Sequence, residues 1–105
     1  MMPIFKFAIP LLLSSLILCT VEYLRDKEGL ILFGQRIRQF RVAQGLTQED
    51  LSFSSGIVFS QINKIERGVV NTGLSTVFVL SRALKVDLKE LFDFELPPFE
   101  DRLEQ

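Results

Sequence analysis

Between residues 30 and 92, apolar side chains recur at intervals of three and four, interrupted by short polar turns. That is the rhythm of amphipathic helices. Leu30, Phe33, Ile37 and Phe40 hold one face of a first helix, with Gln35, Arg36, Arg38 and Gln39 between them; its clear part starts at Phe33. The preceding "EYLRDKEGLI" mixes charged and apolar residues and reads as helix or as linker. Gly45 supplies a left-handed stop. Thr47 opens a second helix, with Asp50 three residues on in capping-box spacing, and Gly56 ends it. A third helix is expected from Phe59 to Arg67, with Ile62 and Ile65 inward and Gly68 closing it. Leu74, Val77, Phe78, Ser81 and Leu84 mark one face of a fourth. Asp87 caps a short fifth, with Glu90 at the reciprocal position and Leu88, Leu91 and Phe92 apolar. Pro97-Pro98 in the closing "FELPPFEDRLEQ" forbids a continuing helix. No strand pattern competes and no internal repeat occurs, so the expected fold is all-α.

One helix raises a question at its start. "GIVFSQINKIERG" places Val58 and Phe59 at a helix start that should meet water and ends in the charged pair Glu66-Arg67. The segment before it supplies a reason. Ser52 is small enough for two short helices to cross there, Gly56 is free to take positive φ in the bend, and Ile62 and Ile65 hold the second helix by its far face. This is helix-turn-helix geometry, which leaves the start of the second helix projecting outward.

Composition narrows the chemistry. The 105 residues include no histidine and one cysteine, Cys19. That excludes a Cys/His metal site, a disulfide within the chain, and nucleophilic catalysis with an imidazole base. The carboxylates stand singly on helix faces, so neither an enzyme nor a cofactor is expected. The net charge of −1 conceals a pattern: residues 32–92 carry +3, residues 93–105 carry −4, and the first 31 balance. A basic body with an acidic tail suits a polyanion-binding domain, although charge alone is equally compatible with simple surface solvation.

"FGQRIRQFRVAQGLTQEDLS", "QINKIERGVVNTGLSTV" and "SRALKVDLKELF" together resemble the Cro/phage-repressor (Xre-type) helix-turn-helix family, over roughly residues 33 to 92. The resemblance implies a five-helix, sequence-specific DNA-binding transcriptional regulator of bacterial or phage type, cytoplasmic, acting as a homodimer on double-stranded DNA. It implies base-facing residues Phe59, Ser60 and Lys64, with Gln61 and Asn63 nearby. Lys64 suits guanine O6 or N7, and Phe59 suits thymine methyls. Gln48 is implied to touch phosphate and to brace the recognition helix, and Arg67 and Asn71 are implied phosphate contacts, which set register rather than read sequence. Glu66 is implied to form a structural ion pair with Arg41. Simpler readings stand beside these: Phe59 folded back on Phe53, Lys64 merely solvated, Gln48 serving its helix terminus alone. Two positions depart from the family pattern. Val58 stands where a small polar cap is usual, unless Ser60 caps a later start, and Thr72 replaces a common proline and is free to cap helix four.

Residues 1 to about 28 lie outside the resemblance. "FAIPLLLSSLILCTV" is 15 uncharged residues, short of the ~20 a membrane span needs, though residues 4–24 would extend it. Export signal, membrane anchor, helix buried in a partner subunit and over-read start all remain open for this leader, which is expected as an extra apolar helix interrupted at Pro10. The expected organisation is a leader and linker at 1–31, a helix-turn-helix domain at 32–92 and an acidic tail at 93–105. A rival function is an antitoxin-like interaction module that neutralises a partner through that tail. Dimerisation is expected to involve Phe92, Phe94 and Phe99.

Overall fold

The computed structural model describes residues 24–98; the leader with Pro10 and Cys19, and the tail beyond Pro98 with Phe99, lie outside them. The described chain is five helices: α1 Lys27–Ala43, α2 Gln48–Ser55, α3 Phe59–Arg67, α4 Leu74–Leu84 and α5 Leu88–Leu91. No strand occurs among the described residues.

Helix α1 begins six residues before the expected Phe33, and positions 31 and 32 lie inside it. The reason is local. Asp26 sits in extended backbone and its carboxylate accepts the Gly29 amide at 2.9 Å, while Glu28 adds negative charge to the first turn, where the helix dipole favours it. Arg25 then donates to the Val69 carbonyl at 3.3 Å, tying this entry to the far end of α3.

Helix α2 starts as its sequence dictates. Thr47 and Asp50 form the reciprocal capping box, each side chain taking the other's amide at 3.0 and 2.9 Å. Gly56 ends the helix at φ 78°, and the Ser52 hydroxyl donates to the Ile57 carbonyl at 2.6 Å across the bend. Ser52 therefore fastens the turn as well as keeping the crossing narrow. Helices α3, α4 and α5 start at Val58, Gly73 and Asp87, none with a side-chain cap. Ser60, Thr72 and Asp87 do not cap as the sequence suggested; Asp87 holds the N-cap position without the bond.

The core comprises Phe33 and Ile37 of α1, Leu51 of α2, Ile62 and Ile65 of α3, Val77, Leu80 and Leu84 of α4, then Val86 and Leu91. On α4 the inward stripe differs from the expected one. Leu80 is fully buried, while Leu74 is 70% and Phe78 41% exposed, so the helix is rolled toward Leu80. Helix α1 packs chiefly on α3, while α2 contacts both α3 and α4. The α1–α3 approach is close because position 34 is glycine: a Cβ there would lie 2.3 Å from the Ile65 carbonyl oxygen and 2.6 Å from that of Glu66. The chain after α5 returns onto α1. Phe92 stacks on Phe33 with ring centroids 5.4 Å apart, and Phe94 packs half-buried against the core. Phe94 thus belongs to the chain's own packing rather than to a free dimer face.

Candidate nucleic-acid interface

Helix α3 has two unlike faces. Ile62, Ile65 and Glu66 are buried; Phe59, Ser60, Lys64 and Arg67 are exposed, with Gln61 and Asn63 half-buried. At about 100° per residue, Phe59, Asn63 and Arg67 fall on one line and Ser60 and Lys64 on the next. Gln61 turns off this stripe toward the Ile65 side. Phe59 is 48% exposed. Phe53, its alternative packing partner, is 92% exposed, so the reading in which the two rings close a piece of core does not hold.

The outer stripe is cationic because the helix's one acid is turned inward. Glu66 is buried against α1, where Arg41 donates to both its oxygens, Nε to Oε2 at 2.6 Å and Nη2 to Oε1 at 3.1 Å. Arg41 also donates to the Leu46 carbonyl at 2.7 Å. A buried bidentate pair with its remaining valences filled is the arrangement that offsets desolvation. Among the described residues every buried side-chain nitrogen and oxygen has a partner. Lys64 and Arg67 then stand on the outer stripe with no carboxylate beside them on α3.

Gln48, at the first turn of α2, reaches across to α3. Its amide donates to Glu66 Oε1 at 3.0 Å and accepts from Asn63 at 3.2 Å. The structure thus assigns its side chain to bracing α3 rather than to its own helix terminus. Asn63 in turn accepts from Arg67 Nε at 2.9 Å. Asn71 is exposed in the turn after α3. The residues expected to meet phosphate and those expected to meet bases therefore lie on or beside one helix. The amide bridge from Gln48 to Asn63 carries no sequence signal, since fifteen residues separate the two.

The described residues hold no group of His, Cys, Asp and Glu that could bind a metal, and no helix among them is long and apolar enough to cross a membrane. Two short helices at a glycine bend, the second braced from behind and presenting polar and cationic side chains outward, define a helix-turn-helix domain. A family model described as helix-turn-helix (HTH_3) matches residues 37–91, more than half of the chain, and the chain belongs to this family. It is a family of DNA-binding regulators rather than of enzymes. The chain is 40% identical over 65 residues to the control protein C.BamHI of Bacillus amyloliquefaciens, covering 61% of this chain and 80% of that one. It is 37% identical over 70 residues to the HTH-type transcriptional regulator SlrR of Bacillus subtilis, covering 66% of this chain but only 46% of SlrR. Among solved structures, the restriction-modification controller protein C.AhdI of Aeromonas hydrophila matches with 44% identity and TM-score 0.59, over 60% of this chain and 96% of its own. The controller protein C.Esp1396I, solved as a tetramer in complex with its natural 35 base-pair operator, matches with 28% identity and TM-score 0.58, over 61% of this chain and 84% of its own.

Proposed function

We propose that this chain is a sequence-specific DNA-binding transcriptional regulator that lays α3 in the major groove. The observation that carries the reading is the outer stripe of α3. Phe59, Ser60, Lys64 and Arg67 are exposed there while the single acid, Glu66, is buried and neutralised by Arg41. A helix fits the major groove, where a lysine recognises guanine and an apolar ring the thymine methyl. Phe59, Ser60 and Lys64 are the base-reading set. Gln61, half-buried, and Asn63, with its amide engaged by two neighbours, stand at its margins. Arg67 and Asn71 meet phosphates; Gln48, whose side chain is occupied, has its backbone amide for that purpose at the start of α2. The place of action is the compartment holding the DNA, in a bacterial cell the cytoplasm.

The chain acts as a homodimer. Leu74 and Phe78 lie four apart on α4, Leu88 opens α5 and Phe92 follows its last residue, and all four remain exposed. Phe78 and Leu88 line one shallow cleft with Ser81, Arg82, Asp87 and Lys89, an apolar pair among charged groups, and the dimer contact is placed on a strip made of this pair with the exposed Leu74 and Phe92. A two-fold dimer through such a strip presents two copies of α3 to successive major-groove faces.

The test is binding of the full chain to duplex DNA from the promoter of its own gene, by fluorescence anisotropy across a salt series. Expected is affinity that falls steeply with salt and exceeds that for random duplex by about a thousandfold or more. Equal affinity for both duplexes ends the reading as a sequence-specific regulator. Failure to bind either, with a stoichiometric basic protein co-purifying, turns it toward the antitoxin-like module.

A further inference from the structure

Arg67, Asn63, Gln48, Glu66 and Arg41 form one string of hydrogen bonds that crosses three helices. Arg67 Nε donates to Asn63 Oδ1, Asn63 Nδ2 donates to Gln48 Oε1, Gln48 Nε2 donates to Glu66 Oε1, and Arg41 donates to Glu66 from the other side. The direction of the string is not arbitrary. An ionised carboxylate only accepts, so Gln48 must turn its NH2 to Glu66 and its carbonyl to Asn63. Asn63 must then turn its own NH2 to Gln48 and its carbonyl outward. A carbonyl facing outward beside Arg67 accepts from Nε, which leaves both Nη groups without an acceptor among the described residues. The buried pair at one end thus decides what the exposed guanidinium at the other end offers.

Resting on the DNA reading above, we infer that Asn63 is a positioning residue for Arg67, acting through that guanidinium rather than on a base edge. Gln48 carries the orientation outward from the Arg41–Glu66 pair. Held at Nε, the guanidinium keeps its plane fixed and its two Nη groups forward, the fork that suits a phosphate bidentately. Fixing it before contact removes part of the ordering cost of binding.

The test is a double-mutant cycle in the full chain. Asn63→Ala is expected to weaken specific and random duplex by the same factor, about three- to tenfold, without changing base preference. On an Arg67→Ala background it is expected to have no further effect, because the interaction it serves is already gone. Arg67→Ala itself is expected to lower the salt slope by about 0.9. A readout without DNA comes from the Arg67 Nε–H in nitrogen-edited NMR: its hydrogen exchange should be slower than that of exposed Arg38 and Arg82. In Asn63→Ala it should match them. Relaxed preference at one base pair, persisting in the Arg67→Ala background, would make Asn63 a base reader and overturn the inference. So would an Arg67 Nε–H that exchanges like that of Arg38 in the unmutated chain. A chain that binds no duplex overturns the DNA reading and this inference with it. A chain that binds duplex but shows additive effects of the two variants overturns this inference alone.

Discussion

Gly34 shows how one residue reverses the sign of a helix propensity. In the middle of an exposed helix, glycine to alanine adds about 1 kcal/mol of stability. At position 34 the added carbon meets two backbone carbonyls of α3 below 3 Å, and backbone cannot rotate aside as a side chain would. Overpacking of this kind costs about 1–3 kcal/mol and more where nothing yields. Gly34→Ala is therefore expected to lower the melting temperature despite its better propensity, as thermal denaturation followed by circular dichroism would show; a rise would mean that α1 can slide away from α3 freely. Lys64 is the residue-scale test of reading. Lys64→Ala is expected to relax preference at one base pair per half-site at a cost of about 1–3 kcal/mol, measured by competition against a panel of single-base operator variants. A uniform loss across that panel would place Lys64 on phosphate instead.

At the scale of elements, the Arg41–Glu66 pair joins α1 to α3 and so sets how the reading helix is presented. Removing one partner strands the other charge in a buried site, at about 3–5 kcal/mol, against the ~5–15 kcal/mol that holds a typical domain together. Glu66→Gln should lower the melting temperature by many degrees, while Glu49→Gln on the exposed side of α2 should leave it nearly unchanged. Equal shifts would deny the pair its structural role. The capping box of α2 gives a pH test. The bond from the Thr47 backbone amide, then that with the Thr47 side chain, holds the Asp50 carboxyl below its ordinary 3.8. A depressed carboxylate contributes stability above its unfolded value and loses it as pH falls through the folded one. Asp50→Asn should therefore melt below the unmutated chain at neutral pH, and the gap should close as the pH drops under 3.8; a gap that persisted in acid would show the carboxylate charge to be irrelevant.

What could be read from the sequence follows from the range of each interaction. The capping box, Gly56, Gly68 and the inward Ile62 and Ile65 depend on residues within a turn or two, so spacing alone exposes them. The first turns of α1 are ambiguous in the sequence because Lys27, Glu28 and Gly29 carry no apolar stripe, and the Asp26 cap that starts the helix is not read there. The inward roll of α4 toward Leu80 is decided by what packs on it from other helices, and Phe78 fits the same spacing equally well. The partnership of Arg41 and Glu66 came from family resemblance rather than from pattern. Gly34 and the amide string from Gln48 to Arg67 had no local signature, because each consists of an approach between elements.

For the whole molecule, the largest question is what meets the exposed strip of Leu74, Phe78, Leu88 and Phe92. Leu74, Phe78 and Leu88 are not among the core residues, whereas Phe92 is tied to the core by its stack on Phe33, so Phe78 is the position at which to alter the strip. A stable interface needs roughly 800 Å² from each partner, with a few large apolar residues near its centre carrying most of the energy. Phe78 is placed for that role, half-exposed and beside Leu88. Phe78→Glu puts a charge where two copies would meet, and is expected to weaken dimerisation at least a hundredfold, about 2.7 kcal/mol or more. Analytical ultracentrifugation should then find monomer at concentrations where the unmutated chain is dimeric. The far more exposed Phe53 on α2 lies outside the strip, so Phe53→Glu should leave the dimer intact. Both variants belong in the full chain and in a chain beginning at Leu24, which separates the strip from the apolar leader. If removing the leader alone yielded monomer, while Phe78→Glu in the full chain stayed dimeric, the leader and not this strip would be the dimer contact. Where the strip is the contact, loss of the dimer should carry loss of operator affinity with it, because two linked copies of α3 bind with an effective concentration that a single copy lacks.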